Sequence, residues 1–509
     1  MPVSVTFTAD MESRVRFVED TPPEDIVEAA WRKLRAGEPP KALLTAAVLA
    51  VSRSTELPSN HHGGPVHPVS GAHAIAGISE RLTNEFRLLP IVQSVALANK
   101  HVHSPTMGPA LMVDIEPLAA GDGSVAATAD AFKTAITDRQ PRIAEAHLLW
   151  LLQEIPPHEV LDLMLDVAIR RNALDDHYFL YPVFTARALD DLGWEWAPVL
   201  LRPPVRYLAR HPIMDAVSPF SPEYIARTVA KYEAFGDIEQ LIDEHDLLKI
   251  GIPHAGGGDE TAAIGDLSDR IGALDDFNKI PGILAVALAD GLSLEGVGEA
   301  MSVGAALLFL RSNSGNPFDI HNHTGINVRR YLLGLAGISL RNKLLALFTW
   351  GTGPEVHDSQ RKLRWTSRSD ADTIAALPRR GQAELLGVIA EQIVAPPTFD
   401  MTGDDVQVNE IYVSDDVRDM LTLAQQYDEL DYDPDAFFRR MAELACRDDY
   451  SEMHAYKLQQ AAHEEYLATR REFRWVHLVS AARHAASVVR LEPKTVYWRS
   501  EELMELADA

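Results

Sequence analysis

Apolar residues recur every three or four positions along most of this chain. This spacing is typical of α-helices with one buried face, and it is clearest in Ala42–Val51, Val160–Ile169, Ile283–Ala289, Val297–Leu310, Leu332–Phe348 and Phe437–Ala445. Strict alternation of apolar and polar residues, the pattern of a half-buried strand, is modest and confined to Val3–Phe7 and Val406–Val413. The hydrophobic pattern therefore predicts an all-α fold.

Four of the predicted helices resemble one another at both ends. Three begin at a proline and reach an arginine thirteen residues later, and a fourth is about one turn longer: Pro40–Arg53, Pro157–Arg170, Pro434–Arg447 and Leu294–Arg311. Proline suits the first helical turn because its missing N–H has no intrahelical acceptor there. Arginine suits the last turn, where it meets the negative end of the helix dipole.

A histidine follows each of these helices and opens the next one. His177 and His454 each come seven residues after the arginine, and His321 follows Arg311. In the first copy the register leaves His62 and His67 open as the matching position. Further elements of equal spacing lead to His101 and His357, each thirteen residues after a leucine.

This repetition predicts one domain built from about four units of helix, arginine, loop, histidine and helix, packed around a histidine-rich interior. We place the boundaries at an N-terminal segment 1–38, repeat 1 at 39–120, repeat 2 at 150–215, repeat 3 at 282–358, a polar and acidic insertion at 359–432, and repeat 4 at 433–490.

The composition narrows the function. The 509 residues include 47 Lys and Arg against 74 Asp and Glu, a formal charge of −27, which disfavours nucleic acid and anionic membrane surfaces as partners. The single cysteine, Cys446, excludes intrachain disulfides and thiolate metal sites. The N-terminus does not have the pattern of a signal peptide. We expect a cytoplasmic protein that binds a small molecule, and homo-oligomer formation stays open.

Matching histidines brought to a common axis predict a buried metal or haem site, since imidazole binds Fe, Cu, Zn and Ni and no thiolate competes. The preferred metal is iron, with copper or zinc as alternatives, and haem b is the other candidate cofactor. The candidate ligands are His67, His101 and His321 first, with His67 and His321 also as cofactor-binding residues, and then His73, His103 and His323. Asp319 would orient a ligand, while Arg53 and Arg311 would bind an anionic substrate or a haem propionate.

Histidines at helix starts also have a structural interpretation. A histidine there caps backbone N–H groups, and recurring residues in helical repeats often serve packing between units. For His177 and His454 this interpretation competes with metal binding, and the sequence leaves the choice open.

The order helix, arginine, loop, histidine and helix resembles the questin oxidase-like family over residues 25–490, loosely. The residues that carry the resemblance are Phe318-Asp-Ile-His321-Asn-His-Thr-Gly-Ile-Asn-Val-Arg-Arg-Tyr-Leu-Leu and His67-Pro-Val-Ser-Gly-Ala-His. The pattern is also similar to large histidine-containing helical-repeat bacterial proteins of unknown function. The first resemblance implies oxidative chemistry, such as oxygen-dependent ring cleavage of an aromatic or polyketide-like substrate.

From these observations we predict a metal- or haem-dependent oxidoreductase of the oxygenase type that acts on a small organic molecule. Two alternatives remain at this point. One is a hydrolase or lyase that uses a metal-bound water as nucleophile. The other is a non-catalytic helical scaffold in which the histidines cap and pack.

Overall fold

A computed structural model describes residues 4–57, 64–172, 176–210, 235–274, 276–313, 320–350, 363–395, 413, 415–449, 451–489 and 495–508. The chain is all-helical, with 71% of its residues in helices, so the predicted all-α fold class is confirmed. Within the described residues, β-structure is limited to two isolated bridges, Ser4 with Val113 and Ser312 with Leu363. The first bridge lies in the predicted strand Val3–Phe7, and most of Val406–Val413 lies outside the described residues.

The described residues of the first half of the chain include twelve α-helices, which we number in chain order. They are α1 (Ala9–Asp20), α2 (Ile26–Arg35), α3 (Pro40–Ser54), α4 (Val66–Ser70), α5 (Ala72–Arg81), α6 (Leu89–Val102), α7 (Val125–Thr137), α8 (Pro141–Glu154), α9 (Pro157–Ala168), α10 (His177–Leu192), α11 (Ala197–Leu200) and α12 (Arg202–Arg210).

The second half continues with α13 (Thr261–Gly272), α14 (Ile280–Ala289), α15 (Leu294–Arg311), α16 (His321–Gly334), α17 (Leu340–Phe348), α18 (Ala371–Ala375), α19 (Gln382–Val394), α20 (Asp415–Glu429), α21 (Pro434–Ala445), α22 (His454–Ala468), α23 (Trp475–Val488) and α24 (Thr495–Asp508). Short 3-10 helices lie at Asn84–Leu88, Trp194–Trp196 and Phe277–Lys279, and residues 235–244 are helical as well.

Three of the helices begin at the prolines that the spacing singled out. Pro40, Pro157 and Pro434 occupy the first turns of α3, α9 and α21, where proline costs no hydrogen bond. The longer α15 begins instead after Ser293, whose hydroxyl accepts a hydrogen bond from Gly296 N, and such a cap contributes about 1 kcal/mol.

The helices that follow these four form a closed ring. The pair α4–α5 packs against α10, α10 against α16, α16 against α22, and α22 back against α5. We call these elements the helix ring. Because the last member contacts the first, residues at equivalent ends of the four members surround one common axis.

An outer layer covers the helix ring. Each member is packed between the helix that precedes it and one that follows it: α3 and α6 flank α4–α5, α9 and α12 flank α10, α15 and α17 flank α16, and α21 and α23 flank α22. The main apolar core lies between these two layers in the first three units, and a second core joins α15 to α19–α23. The exact equivalence of the four units stays a prediction.

Candidate histidine site

Four histidines meet at one end of the helix ring. His177, His321 and His454 are the first residues of α10, α16 and α22, and His67 is the second residue of α4. Their imidazole centroids are 5.8 Å apart for His67 and His177, 5.2 Å for His177 and His321, 5.4 Å for His321 and His454, and 4.7 Å for His454 and His67. All four side chains are buried. We call these four residues the histidine cluster.

The cluster is cyclic, and its members follow the order of the chain. Each imidazole contacts its two neighbours, so that His67 and His321 lie opposite one another, each next to both His177 and His454. His67 and His321 were the two residues expected to bind a cofactor, and the structure brings them to the same site. The arrangement places one histidine from each member of the helix ring around the axis.

Hydrogen bonds orient two of the four imidazoles. Glu452 Oε2 lies 2.7 Å from His67 Nδ1, and the carbonyl oxygen of Ser451 lies 2.6 Å from His454 Nδ1. A carbonyl oxygen only accepts, so His454 Nδ1 carries the proton and Nε2 carries the lone pair. The same tautomer in His67 satisfies the carboxylate. Partners of this kind fix the orientation of metal-ligating histidines.

Glu452 remains a carboxylate at neutral pH. Burial alone would raise its pKa, but the hydrogen bond and the charge of His67 outweigh this, together with His101 and Lys100, and the pKa falls to about 2. Glu452 lies only two positions before His454 in the sequence. The structure places it instead on His67 of the first unit.

The pKa of His454 lies well below its ordinary value. Burial is the largest cause, and the nearby Lys457, His67 and His321 add to it, while the hydrogen bond to Ser451 opposes it. His454 is therefore a neutral imidazole at pH 7. Neutral imidazole is the form that binds a metal.

The backbone before two of the histidines is strained. Asp176 and Met453, which directly precede His177 and His454, have φ of 68° and 72°. This left-handed conformation is uncommon for residues other than glycine and costs about 1–2 kcal/mol. Such strain persists where the surroundings impose it, often at functional sites. His177 and His454 are thus each preceded by a residue in the left-handed conformation.

A buried ion pair fixes α10 to α16 beneath the site. Arg329 is fully buried, and its guanidinium donates to both carboxylate oxygens of Asp176 at 2.6 and 3.0 Å and to the carbonyl oxygen of Ala346 at 2.6 Å. Its guanidinium also lies 4.2 Å from the ring centroid of Phe179. Because Asp176 adjoins His177, this pair holds His177 in place relative to the helix of His321.

Two other predicted ligands lie at or near this end of the helix ring. His101 is buried, with its Nε2 4.0 Å from Glu452 Oε1, so that the carboxylate lies between His101 and His67. His103 is exposed, and its Nδ1 lies 3.0 Å from the carbonyl oxygen of Asn99 in its own helix. The structure thus brings His101 beside the cluster and leaves His103 at the surface.

His73 belongs to a different cluster of charged groups. Its Nδ1 lies 2.6 Å from Asp191 Oδ2 and its Nε2 lies 2.7 Å from Glu464 Oε1. Burial would lower the pKa of His73, but the two hydrogen bonds to carboxylates outweigh it and raise the pKa. This histidine joins α5, α10 and α22 as a charged link, and both of its nitrogens are engaged.

His323 lies buried away from the cluster, since residues two apart on a helix point in different directions. Its imidazole contacts Phe309 and His477, with centroid distances of 5.5 and 6.1 Å. Neither ring nitrogen has a hydrogen-bond partner among the described residues. Burial lowers the pKa of His323 to about 4, although Glu465 opposes the shift.

The predicted catalytic residues lie in other settings. Arg53 is buried and donates to the carboxylates of Glu12 and Glu19, so it ties α3 to α1. Arg311 Nη1 donates to the carbonyl oxygen of Gly272 at 2.5 Å. Asp319 lies outside the described residues. Among the described residues, the hydrogen bonds of Arg53 and Arg311 go to groups outside the histidine cluster.

Sequence reasoning left two of the four histidines undecided and did not single out a neighbouring lysine. His177 and His454 complete the cluster, and their equal seven-residue interval from the preceding arginine was the signal that pointed to them. Lys457 lies one turn beyond His454, is buried, and has its ammonium 5.7 Å from the ring centroid of Phe184. A single sequence gives no reason to single out this lysine.

Three further findings concern metal-binding groups, membrane-spanning helices and similarity to known proteins. Within the part of the chain that the structure describes, no three His, Cys, Asp or Glu side chains are already arranged to hold a metal ion. Also within that part, no helix is both long and apolar enough to cross a membrane. Comparison of the chain with protein-family models, with curated proteins and with solved structures gives no match in any of the three.

Proposed function

We propose that this protein is a metal-dependent oxidoreductase whose centre is held by His67, His177, His321 and His454. The observation that carries the proposal is the cyclic contact of these four imidazoles at the starts of four helices that meet around one axis. Helix capping is a local interaction at each helix start, so it does not explain why four buried imidazoles from residues up to 387 positions apart come together.

The spacing of the imidazoles suits a shared metal ion. A metal–nitrogen bond of about 2.0–2.1 Å puts each ring centroid about 3.2 Å from the ion, so neighbouring ligands have centroids about 4.5–5.2 Å apart for angles from square to tetrahedral. The observed distances between neighbours run from 4.7 to 5.8 Å. Small rotations about the side-chain torsions would therefore bring the donor nitrogens together.

The donor set favours a transition metal bound without porphyrin. Neutral imidazoles bind Fe, Cu, Zn and Ni, and the carboxylate of Glu452 supplies a compensating negative charge beside His67. Ring contacts of 4.7–5.8 Å all around the cluster leave no gap between neighbouring imidazoles for a flat macrocycle. We therefore prefer iron, with copper or zinc as alternatives, to haem b.

The number of ligands supports redox chemistry over hydrolysis. Catalytic zinc keeps three protein ligands and an open fourth position for water, whereas four imidazoles would complete its tetrahedral shell. An octahedral ion with the same four ligands retains two open positions, which can accept dioxygen and an organic substrate. The resemblance to questin oxidase-like proteins points the same way, and a small organic substrate follows from both.

A non-catalytic scaffold is the second candidate. It is favoured by the absence of a ready-made metal-binding group among the described residues. In that case the four imidazoles would stabilise the helix ring through their mutual contacts alone.

The test is metal analysis of the purified protein and of two variants, His67→Ala and His321→Ala. We expect about one equivalent of metal in the unmodified protein, no Soret band, and loss of metal in both variants. His103→Ala is the matched control, because this exposed histidine directly follows α6 and its imidazole lies within hydrogen-bond distance of the carbonyl oxygen of Asn99.

The outcomes separate the candidates. Metal retained by both cluster variants, or an unmodified protein that takes up no iron, copper or zinc under anaerobic reconstitution, would refute the proposed centre. If both variants only lower the melting temperature and no metal is bound at any stage, the scaffold is the better description. Colourless zinc as the only metal taken up would favour the hydrolase or lyase alternative.

A further inference from the structure

A pocket of about 550 Å³ lies beside Asn172, a few residues before α10, and Thr349, which directly follows α17. Its walls come from the end of α9, from helical residues 235–244, and from the 3-10 helix Phe277–Lys279 with the start of α14. This volume is within the 300–1,000 Å³ range of pockets that hold small organic ligands.

The interior of the pocket is mainly apolar. Two buried phenylalanines, Phe235 and Phe277, line it together with Ile169, Ile238, Leu241 and Pro281. Phe277 is held edge-on against Trp350, with centroids 5.8 Å apart, and Phe235 is covered by the guanidinium of Arg170 at 4.8 Å. These contacts fix the aromatic walls, so the pocket does not depend on a ligand to form it.

The formal charges of the residues that line the pocket sum to zero. Arg170 and Lys279 contribute two positive charges, and Asp237 and Glu244 contribute two negative charges. Arg170 is further engaged by Glu239 at 2.7 Å. A lining of this kind gives no net attraction for an ion, whereas its apolar interior favours an uncharged molecule.

Two residues of the pocket lining, or their direct sequence neighbours, hydrogen-bond to the residues adjacent to His177 and His321. Asn172 donates to the carboxylate of Asp176, which directly precedes His177. Thr349 precedes Trp350, whose indole N–H donates at 3.2 Å to the carbonyl oxygen of Asn322, which directly follows His321. Asn172 and Thr349 both line the pocket.

We propose that this pocket binds an uncharged, mainly apolar organic molecule, and that it is the substrate pocket of the histidine centre. The inference of a binding site depends only on the volume of the pocket, its mainly apolar lining and the balance of its charged residues. Its role as a substrate pocket rests on the proposed function, because it requires a reactive centre at His177 and His321.

Gly282 offers a way to fill the pocket without disturbing the fold. It lies in α14, lines the pocket, and a Cβ at this position would have no atom within 4 Å. Gly387 in α19 has the same open surroundings and does not line the pocket. Leucine at either position raises helix propensity, so Gly282→Leu and Gly387→Leu form a matched pair that should both remain folded.

The experiment titrates the purified full-length protein, before and after removal of metal with a chelator, with N-phenyl-1-naphthylamine. This uncharged dye gains fluorescence in apolar surroundings. We expect saturable binding to the unmodified protein and to Gly387→Leu, and about a tenfold or larger loss of affinity in Gly282→Leu, as overfilling a packed site produces. Circular dichroism and melting temperature confirm that both variants are folded.

The proposal that this pocket binds an apolar molecule would be refuted if Gly282→Leu bound the dye as tightly as the unmodified protein. An equal loss of affinity in Gly282→Leu and Gly387→Leu would also refute it. Because the titration is run with and without metal, its result does not depend on whether a metal centre exists. For the substrate role, the readout is the visible spectrum of the protein reconstituted with Co²⁺. A spectral change on dye binding that disappears in Gly282→Leu supports this role, and an unchanged spectrum at saturation rejects it.

Discussion

Replacement of Glu452 by glutamine removes the negative charge beside His67 and keeps an oxygen that can accept its hydrogen bond. Glu452 Oε2 lies 2.7 Å from His67 Nδ1, and the carboxylate is largely buried. Its lowered pKa, about 2, means that the charge is present throughout the neutral range. If His67 is a metal ligand, this carboxylate raises the basicity of the ligating nitrogen and offsets the charge of the ion.

The expected effect is a loss of metal affinity with a small change in stability. Carboxylates that hydrogen-bond a ligating histidine are typically worth 10–100-fold in affinity, which corresponds to about 1.4–2.7 kcal/mol. Competition with a chelator of known affinity at pH 7.5 measures this difference directly. The pH dependence has a definite sign, since a lowered pKa stabilises the fold above the unfolded value of about 4.3, and this contribution is lost as the pH falls towards 2.

Glu443→Gln is the control, because it removes the same charge from a partly exposed ion pair with Arg440 in the same unit. We expect its metal affinity to match that of the unmodified protein. An affinity of Glu452→Gln within about twofold of the unmodified protein, in a preparation where His67→Ala loses its metal, would refute the assigned role of Glu452. An equal loss in the two glutamine variants would attribute the effect to net charge.

Two further predictions concern stability. The pKa of His73 is raised, so its stabilising link to Asp191 and Glu464 is fully present below about pH 6.5. We expect urea titrations to show that the difference in stability between the unmodified protein and His73→Asn shrinks as the pH rises through the folded-state pKa. A difference that does not change with pH would contradict this prediction. Arg329→Leu leaves Asp176 buried without its cation and should lower the free energy of unfolding by about 3–5 kcal/mol. Arg368→Ala removes one partner of an exposed ion pair with Glu429 and should lower it by less than about 1 kcal/mol. Similar losses in the two variants would contradict the stabilising role of the buried pair between Arg329 and Asp176.

Helical periodicity and helix-end residues were enough to predict the fold class and several boundaries. The structure has helices at Pro40–Ser54, Pro157–Ala168 and Pro434–Ala445, close to the predicted segments, because a proline restricts where a helix can begin. These are local effects, and local effects are visible in sequence. The three histidines that start α10, α16 and α22 are likewise where the pattern put them.

The contacts of the individual polar residues could not be predicted in the same way. Arg53 and Arg311 end matching helices, yet one binds the carboxylates of Glu12 and Glu19 and the other a backbone carbonyl of Gly272. These partners come from elements outside the repeated units. His73 and His101 are separated by 28 positions in the first unit, and the packing of α22 decides that one meets Glu464 and the other Glu452.

The sequence does not predict whether the repeated helices line a groove or form a closed ring. Repeated helical units that present the same surface inward can either line one side of an extended array or meet around an axis. The structure closes the helix ring through the contact of α22 with α5. Gln93 in the neighbouring α6 adds hydrogen bonds to the carbonyl oxygen of Cys446 and to Asp449, both at 2.8 Å.

The histidine cluster therefore forms only when the helix ring is closed. The hydrogen bond from His67 to Glu452 spans 385 positions and exists only when the first unit reaches the fourth. In an open array of the same units, His67 would have neither Glu452 nor the imidazole of His454 beside it. A metal shared by His67 and His454 would bind only the closed form, so it should raise the free energy of unfolding by mass action. This effect should be weakened in variants of His67 or Glu452 and should be unchanged in variants of His103.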